Sequence, residues 1–208
     1  MGRDDWFRNK QWNADIEADF RQRLHRARRK FQYLRIQANY LAETHPQVAL
    51  SLLDEYFSLG VEEDLAQAHV DQATALVAIG DIDGAVRAYE NALKRELEFP
   101  RSITSASLNL ACLIASARLE HLYDKALDVA HLNSRYHMFP IQRYQANGAC
   151  ALVLHEKGKR TEAIQAARLA MHAASEIGSG FRYHQNAGLV KTTDDEFGNR
   201  ISELLDDE

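Results

Sequence analysis

Two spacings of apolar residues organise this chain. Ile16, Phe20, Leu24, Ala27, Phe31 and Leu34 recur at intervals of 4, 4, 3, 4 and 3, which places them in one stripe along a helix. The spacing predicts a single long helix over 13–43, with the stripe buried and arginines on its other faces. The second spacing is clearest in GDIDGAVRAYENAL, residues 80–93. It reads as a short turn and an amphipathic helix with Ala85, Ala88, Tyr89, Ala92 and Leu93 on one face.

That second pattern repeats. Sliding 66–93 by 78 residues lays it on 144–171 with eight of 28 positions identical, including Ala73 with Ala151, Gly80 with Gly158 and Ala85 with Ala163. Chance in an Ala-rich chain would give about two or three. HPQVALSLLDEYF (45–57) and LYDKALDVAHLN (122–133) are weaker copies, so that Ala49, Ala85, Ala126 and Ala163 stand 36, 41 and 37 residues apart. Such a period suits a helix, a tight turn and a second helix per repeat. The small residues let antiparallel helices approach closely. Gly80 and Gly158 fit helix C-termini, where a positive φ is required. Asp81 and Asp83 can cap the helix that follows, and Pro46 suits a first helical turn.

GDIDGAVRAYENAL, preceded by LVAI, resembles the turn and second helix of a tetratricopeptide repeat, and GKRTEAIQAARLAM resembles a second copy. The resemblance spans about residues 30–175. It implies an all-α fold: a superhelical array of about four helix-turn-helix hairpins with an N-terminal capping helix and a C-terminal tail. The organisation expected is an arm and capping helix over 1–29, four hairpins over 30–176, and a tail over 177–208. Gln37, Tyr56, Ile114 and Asn133 stand where the family has small residues, so the hairpins they belong to should pack at altered spacing. DDWFRN and GFRYH also resemble stretches of bacterial repeat proteins, a likeness that brings no mechanism with it.

In this family the first helix of each hairpin lines a concave binding surface. The resemblance therefore puts Gln67, Val70, Asp71, Thr74 and Val77 on that surface in the second repeat. Leu108, Ala111 and Arg118 would line it in the third, and Gln145, Ala149, Leu152 and His155 in the fourth. Members that grip a chaperone's terminal carboxylate use Lys, Arg and Asn there. Leu34, Val70, Asp71, Ala111 and Ala149 make a poor anion clamp, and a largely apolar groove suits a hydrophobic peptide or the chain's own tail. The function implied is a non-catalytic protein- or peptide-binding scaffold.

Charge adds one alternative. The net charge is −5, but RQRLHRARRK (21–30) carries six cations and no acid, while 191–208 carries seven acids against Lys191 and Arg200. Arg21, Arg28 and Arg35 are seven apart and would form a line on one helix side, widened by Arg29. Such a patch could bind phosphates, with steep salt dependence, which makes a nucleic-acid-associated regulator the competing function. Homo-oligomerisation stays open.

Catalysis finds no support. HExxH, CxxC, GxSxG, a Walker loop and a dinucleotide fingerprint are all absent, and those are the spacings metal, nucleophile and phosphate chemistry require. No cofactor, metal or enzymatic activity is expected. Cys112 and Cys150 lie in Ala/Leu-rich segments and read as reduced, buried thiols. The polar N-terminus has no apolar core of a signal peptide and no run spans a bilayer, so the expected location is the cytoplasm. Trp6, Phe7 and Trp12 either fold back over the first helices or anchor a partner. After Glu176 the period stops. Phe181–Val190 is expected to dock on the concave face or the last hairpin, and Phe197, Ile201, Leu204 and Leu205 mark a short amphipathic helix.

Overall fold

The computed structural model describes residues 5–132 and 134–206; Asn133 lies outside them. Among the described residues there are helices and no strands: α1 (Ala14–Arg26), α2 (Lys30–Leu41), α3 (Pro46–Ser58), α4 (Leu65–Ala78), α5 (Ile82–Glu98), α6 (Ala106–Ser116), α7 (Tyr123–His131), α8 (Pro140–Glu156), α9 (Arg160–Ala174) and α10 (Glu196–Asp206). They fall into two compact units, Met1–Ala106 and Ser107–Glu208. None of these helices is long and apolar enough to cross a membrane.

The single helix expected over 13–43 is two helices. α1 starts at Asn13, whose side chain accepts a hydrogen bond from the Ile16 amide (2.9 Å), and ends at Ala27, which takes an extended conformation (φ −77°, ψ 141°). The break falls within HRARRK, where a continuing helix would crowd the four like charges of Arg26, Arg28, Arg29 and Lys30 into less than two turns. Phe20 and Leu24 are buried from one side of the break and Leu34 from the other. Arg21, Arg28 and Arg35 therefore do not share one helix.

The N-terminal arm of the first unit folds back over these helices. Trp6 packs on Phe7, Phe20 and Tyr33 with ring centroids 4.8–5.5 Å apart, and Trp12 meets Phe20 edge-on at 5.6 Å. The arm also explains Gln37, a fully buried amide. Its Oε1 accepts from the Asn9 backbone amide (3.0 Å) and Asn9 Nδ2 (2.9 Å), and its Nε2 donates to the Asn9 carbonyl (2.8 Å). A polar side chain at a core position is tolerable when each of its groups finds a partner.

In the same unit α2 pairs with α3 and α4 with α5, and α4 packs against both α3 and α2. Gly80 (φ 81°) closes the tight turn after α4, and Asp81 caps α5 by accepting from the Gly84 amide (2.9 Å). In the second unit α8 pairs with α9 through the corresponding turn at Gly158 (φ 72°), and α7 packs on α8. Ala49, Ala85, Ala126 and Ala163 are all buried. A methyl group at these positions sets how closely the paired helices approach.

Candidate functional site

The residues expected on a binding surface separate by burial. Val70, Asp71, Leu108, Ala111, Ala149 and Leu152 are buried and cannot present side chains to a ligand from this conformation. Gln67, Thr74 and Gln145 are partly exposed, and Val77 and His155 are exposed. Arg118 is exposed too, but it lies beyond the end of α6 in a left-handed conformation (φ 51°) and pairs with Glu156 at 3.6 Å.

Asp71 is the centre of a buried polar node between α2 and α4. Its Oδ1 accepts from Asn39 Nδ2 (2.8 Å) and Gln67 Nε2 (2.9 Å), and its Oδ2 from Arg35 Nη1 (3.2 Å). Arg35 also lies 3.5 Å from Asp64. Burial raises the Asp71 pKa, against the opposing pull of Gln67, Arg35 and Asn39. An aspartate that the helical register assigned to a surface is thus a structural group.

The concave feature of the first unit is an open cleft of about 900 Å³ between the α3–α4 connection and the α5–α6 connection. One side carries Glu62, Glu63 and Asp64, with Leu65 and Gln67 from the first turn of α4; the other carries Arg95, Phe99, Ile103 and Thr104. Phe99 and Ile103 are exposed large apolar side chains. Each wall is held by specific bonds. The buried Tyr56 hydroxyl donates to the Glu63 carbonyl, and Asp64 takes a left-handed conformation (φ 59°) just before α4. Arg95 lies over the Phe99 ring (3.7 Å) and pairs with Glu62 (3.1 Å) and Glu98 (2.9 Å). The buried Glu96 accepts from the Thr104 amide (2.9 Å) and hydroxyl (2.5 Å). Such a cleft can hold an apolar side chain beside a cation.

Of the groove residues named from the repeat register, Gln67 alone lines this cleft. Of the others, Glu62, Glu63, Asp64, Phe99, Ile103 and Thr104 sit on connections between helices, while Leu65 and Arg95 lie in the end turns of α4 and α5. The run Glu62–Asp64 and the aromatic Phe99 before Pro100 were the available signals.

The basic segment is divided by its pairing. Arg21 pairs with Glu55 and Arg35 with Asp71 and Asp64, whereas Arg26, Arg28, Arg29 and Lys30 are exposed around the α1–α2 break. Burial pushes the Cys112 thiol up to about 12 and the Cys150 thiol to about 11, which favours the protonated form of both near neutral pH. No cluster of three or more His, Cys, Asp or Glu capable of holding a metal occurs among the described residues.

His69 of α4 stacks on Phe57 (5.0 Å) and its pKa is lowered by burial. A lowered histidine pKa contributes stability that is full above the unfolded value of 6.5 and lost as pH falls through the folded value. Urea unfolding followed by tryptophan emission, at about pH 7.5 and about pH 5, should show a fall in stability on acidification that His69→Gln makes smaller. An unchanged fall in that variant would contradict the assignment.

In the second unit the segment after α9 docks on the start of α8. Phe181 stacks on Phe139 (5.3 Å), and the Ile141 amide donates to the Gly188 carbonyl (2.8 Å). Arg143 donates to both carboxylate oxygens of Glu176 (2.8 and 2.7 Å). α10 then lies against α8 and α9.

No family model matches this chain, and neither a curated protein nor a solved structure matches it.

Proposed function

We propose that this chain is a non-catalytic, cytoplasmic scaffold of tetratricopeptide-like hairpins that binds a protein or peptide partner. The observation that carries this reading is the cleft of the first unit, with exposed Phe99 and Ile103 facing a rim of Glu62, Glu63 and Asp64. Its chemistry suits a peptide that places an apolar side chain next to Lys or Arg. The apolar residue would supply most of the affinity, and the cation would supply orientation and on-rate.

A peptide library of apolar-basic pairs, screened against the full chain, tests the reading. Binders are expected to weaken at least tenfold on Ile103→Asp, about 1.4 kcal/mol, and more modestly on Glu63→Lys, with the latter loss shrinking at high salt. Binding that is indifferent to both substitutions would remove the cleft from the function. The competing nucleic-acid reading rests on the exposed Arg26, Arg28, Arg29 and Lys30 at the α1–α2 break. It requires instead duplex binding with a steep salt slope that Arg28→Glu and Arg29→Glu abolish.

A further inference from the structure

The second unit holds a helix on a seat built for it. α10 lays Phe197, Ile201 and Leu204, spaced by four and three residues, toward α8 and α9. Ile201 is fully buried and Leu204 nearly so. The seat is notched: a Cβ on Gly148 of α8 would lie 2.6 Å from Ile201 Cδ1 and 2.9 Å from the Phe197 ring. A side chain at 148 would therefore have to push the tips of Ile201 and Phe197 aside where α10 crosses. Arg200 completes the fit. It donates to the Ala115 and Ser116 carbonyls at the end of α6 (3.2 and 3.3 Å) and pairs with Glu156 (3.5 Å). Apolar knobs at i, i+4 and i+7 with a cation at i+3 are how an amphipathic helix is read by a groove.

Three features make this helix separable from the body it covers. α8 and α9 pack directly on each other and each carries buried alanines of its own. α10 has eleven residues, too few to be stable alone, and 175–195 joins it to α9 without helix or strand. Tyr144, edge-on to Phe197 at 5.8 Å, has a buried hydroxyl with no hydrogen-bond partner among the described residues. A buried hydroxyl left unpaired beside the seat costs the covered state stability.

We infer that the α8 face beneath α10 is a helix-binding surface, which α10 occupies as an internal ligand. A partner's amphipathic helix carrying an aromatic residue, arginine at +3 and aliphatic residues at +4 and +7 takes its place. This inference concerns the second unit and does not depend on the cleft of the first. The segment 175–195, itself held to the start of α8 at Phe181 and Gly188, keeps α10 at an effective concentration of at least the order of millimolar. A free peptide must therefore compete against it.

The test uses a fluorescein-labelled synthetic peptide of residues 192–206 and the full chain, read by anisotropy. The double variant Ile201→Asp/Leu204→Asp releases α10 and is expected to bind the peptide at least tenfold more tightly than the unaltered chain. Adding Gly148→Val to the double variant should abolish that binding, and a peptide carrying Arg200→Glu should bind at least tenfold more weakly. Hydrogen exchange on the unaltered chain should show α10 amides exchanging faster than those of α8 and α9. Equal binding by the unaltered and double-variant chains, or none by either, would overturn the inference. So would loss of α8–α9 helicity in the double variant, or α10 protection equal to that of α8. A dimer formed by exchanging α10 between copies would assign the seat to a second copy and overturn the partner reading.

Discussion

Replacing Asp71 with alanine is expected to destabilise the first unit by about 3 kcal/mol, near the lower end of what removing one partner of a buried ion pair costs. The lower end applies because Arg35 retains Asp64 at 3.5 Å and is 16% exposed, so its charge is not stranded. Asn39 and Gln67 would each lose their acceptor. Asp71→Asn is expected to cost less, about 1–2 kcal/mol. It keeps an oxygen for Asn39 and Gln67 but turns an amide donor toward Arg35. The pH dependence has a definite sign. Burial raises the Asp71 pKa, so its contribution is full below the unfolded value of 3.8 and lost as pH rises through the folded value. Urea midpoints followed by tryptophan emission measure both variants. An alanine variant within about 0.5 kcal/mol of the parent, the range of ordinary surface substitutions, would remove the node from the core.

Tyr56→Ala is expected to have the larger effect on both stability and the cleft. The side chain is fully buried between Leu52, Leu53 and the rest of the first unit's core, and emptying an aromatic site of that kind costs about 3–5 kcal/mol. Tyr56→Phe isolates the hydroxyl. It keeps the ring beside Phe57 (5.5 Å) and removes only the hydrogen bond to the Glu63 carbonyl, at about 1 kcal/mol. The phenylalanine variant should also speed hydrogen exchange in residues 61–64 while leaving α3 protected. If those amides are unaffected, the hydroxyl does not hold the acidic wall of the cleft.

The helices were legible because their spacing is written in small residues. Ala49, Ala85, Ala126 and Ala163 are buried, Gly80 and Gly158 have the positive φ their positions demand, and Pro46 and Pro140 begin α3 and α8. What the pattern hid has a common cause. Helical register says which face a residue occupies but not whether another element covers that face. Asp71 sits on the face expected to be open, yet Arg35 and Asn39 of α2 cover it. Gln37 looked like an oversized residue at a packing position because its partner, Asn9, lies 28 residues away on an aperiodic arm. The cleft lies mostly on connections, where periodicity carries no information, and Gly148 marks the seat of α10 only once Ile201 is placed over it.

The two units also differ in when they can be completed as the chain is synthesised. The arm of the first unit meets Phe20, Tyr33 and Gln37, all of which emerge soon after it. In the second, Arg200 bonds to carbonyls 84 and 85 residues earlier. At about 5–20 residues per second, the first unit has all its residues on the order of 5–20 s before α10 appears. α8 is complete 40 residues, about 2–8 s, before α10 begins, and until then the notch at Gly148 lacks the helix that fills it.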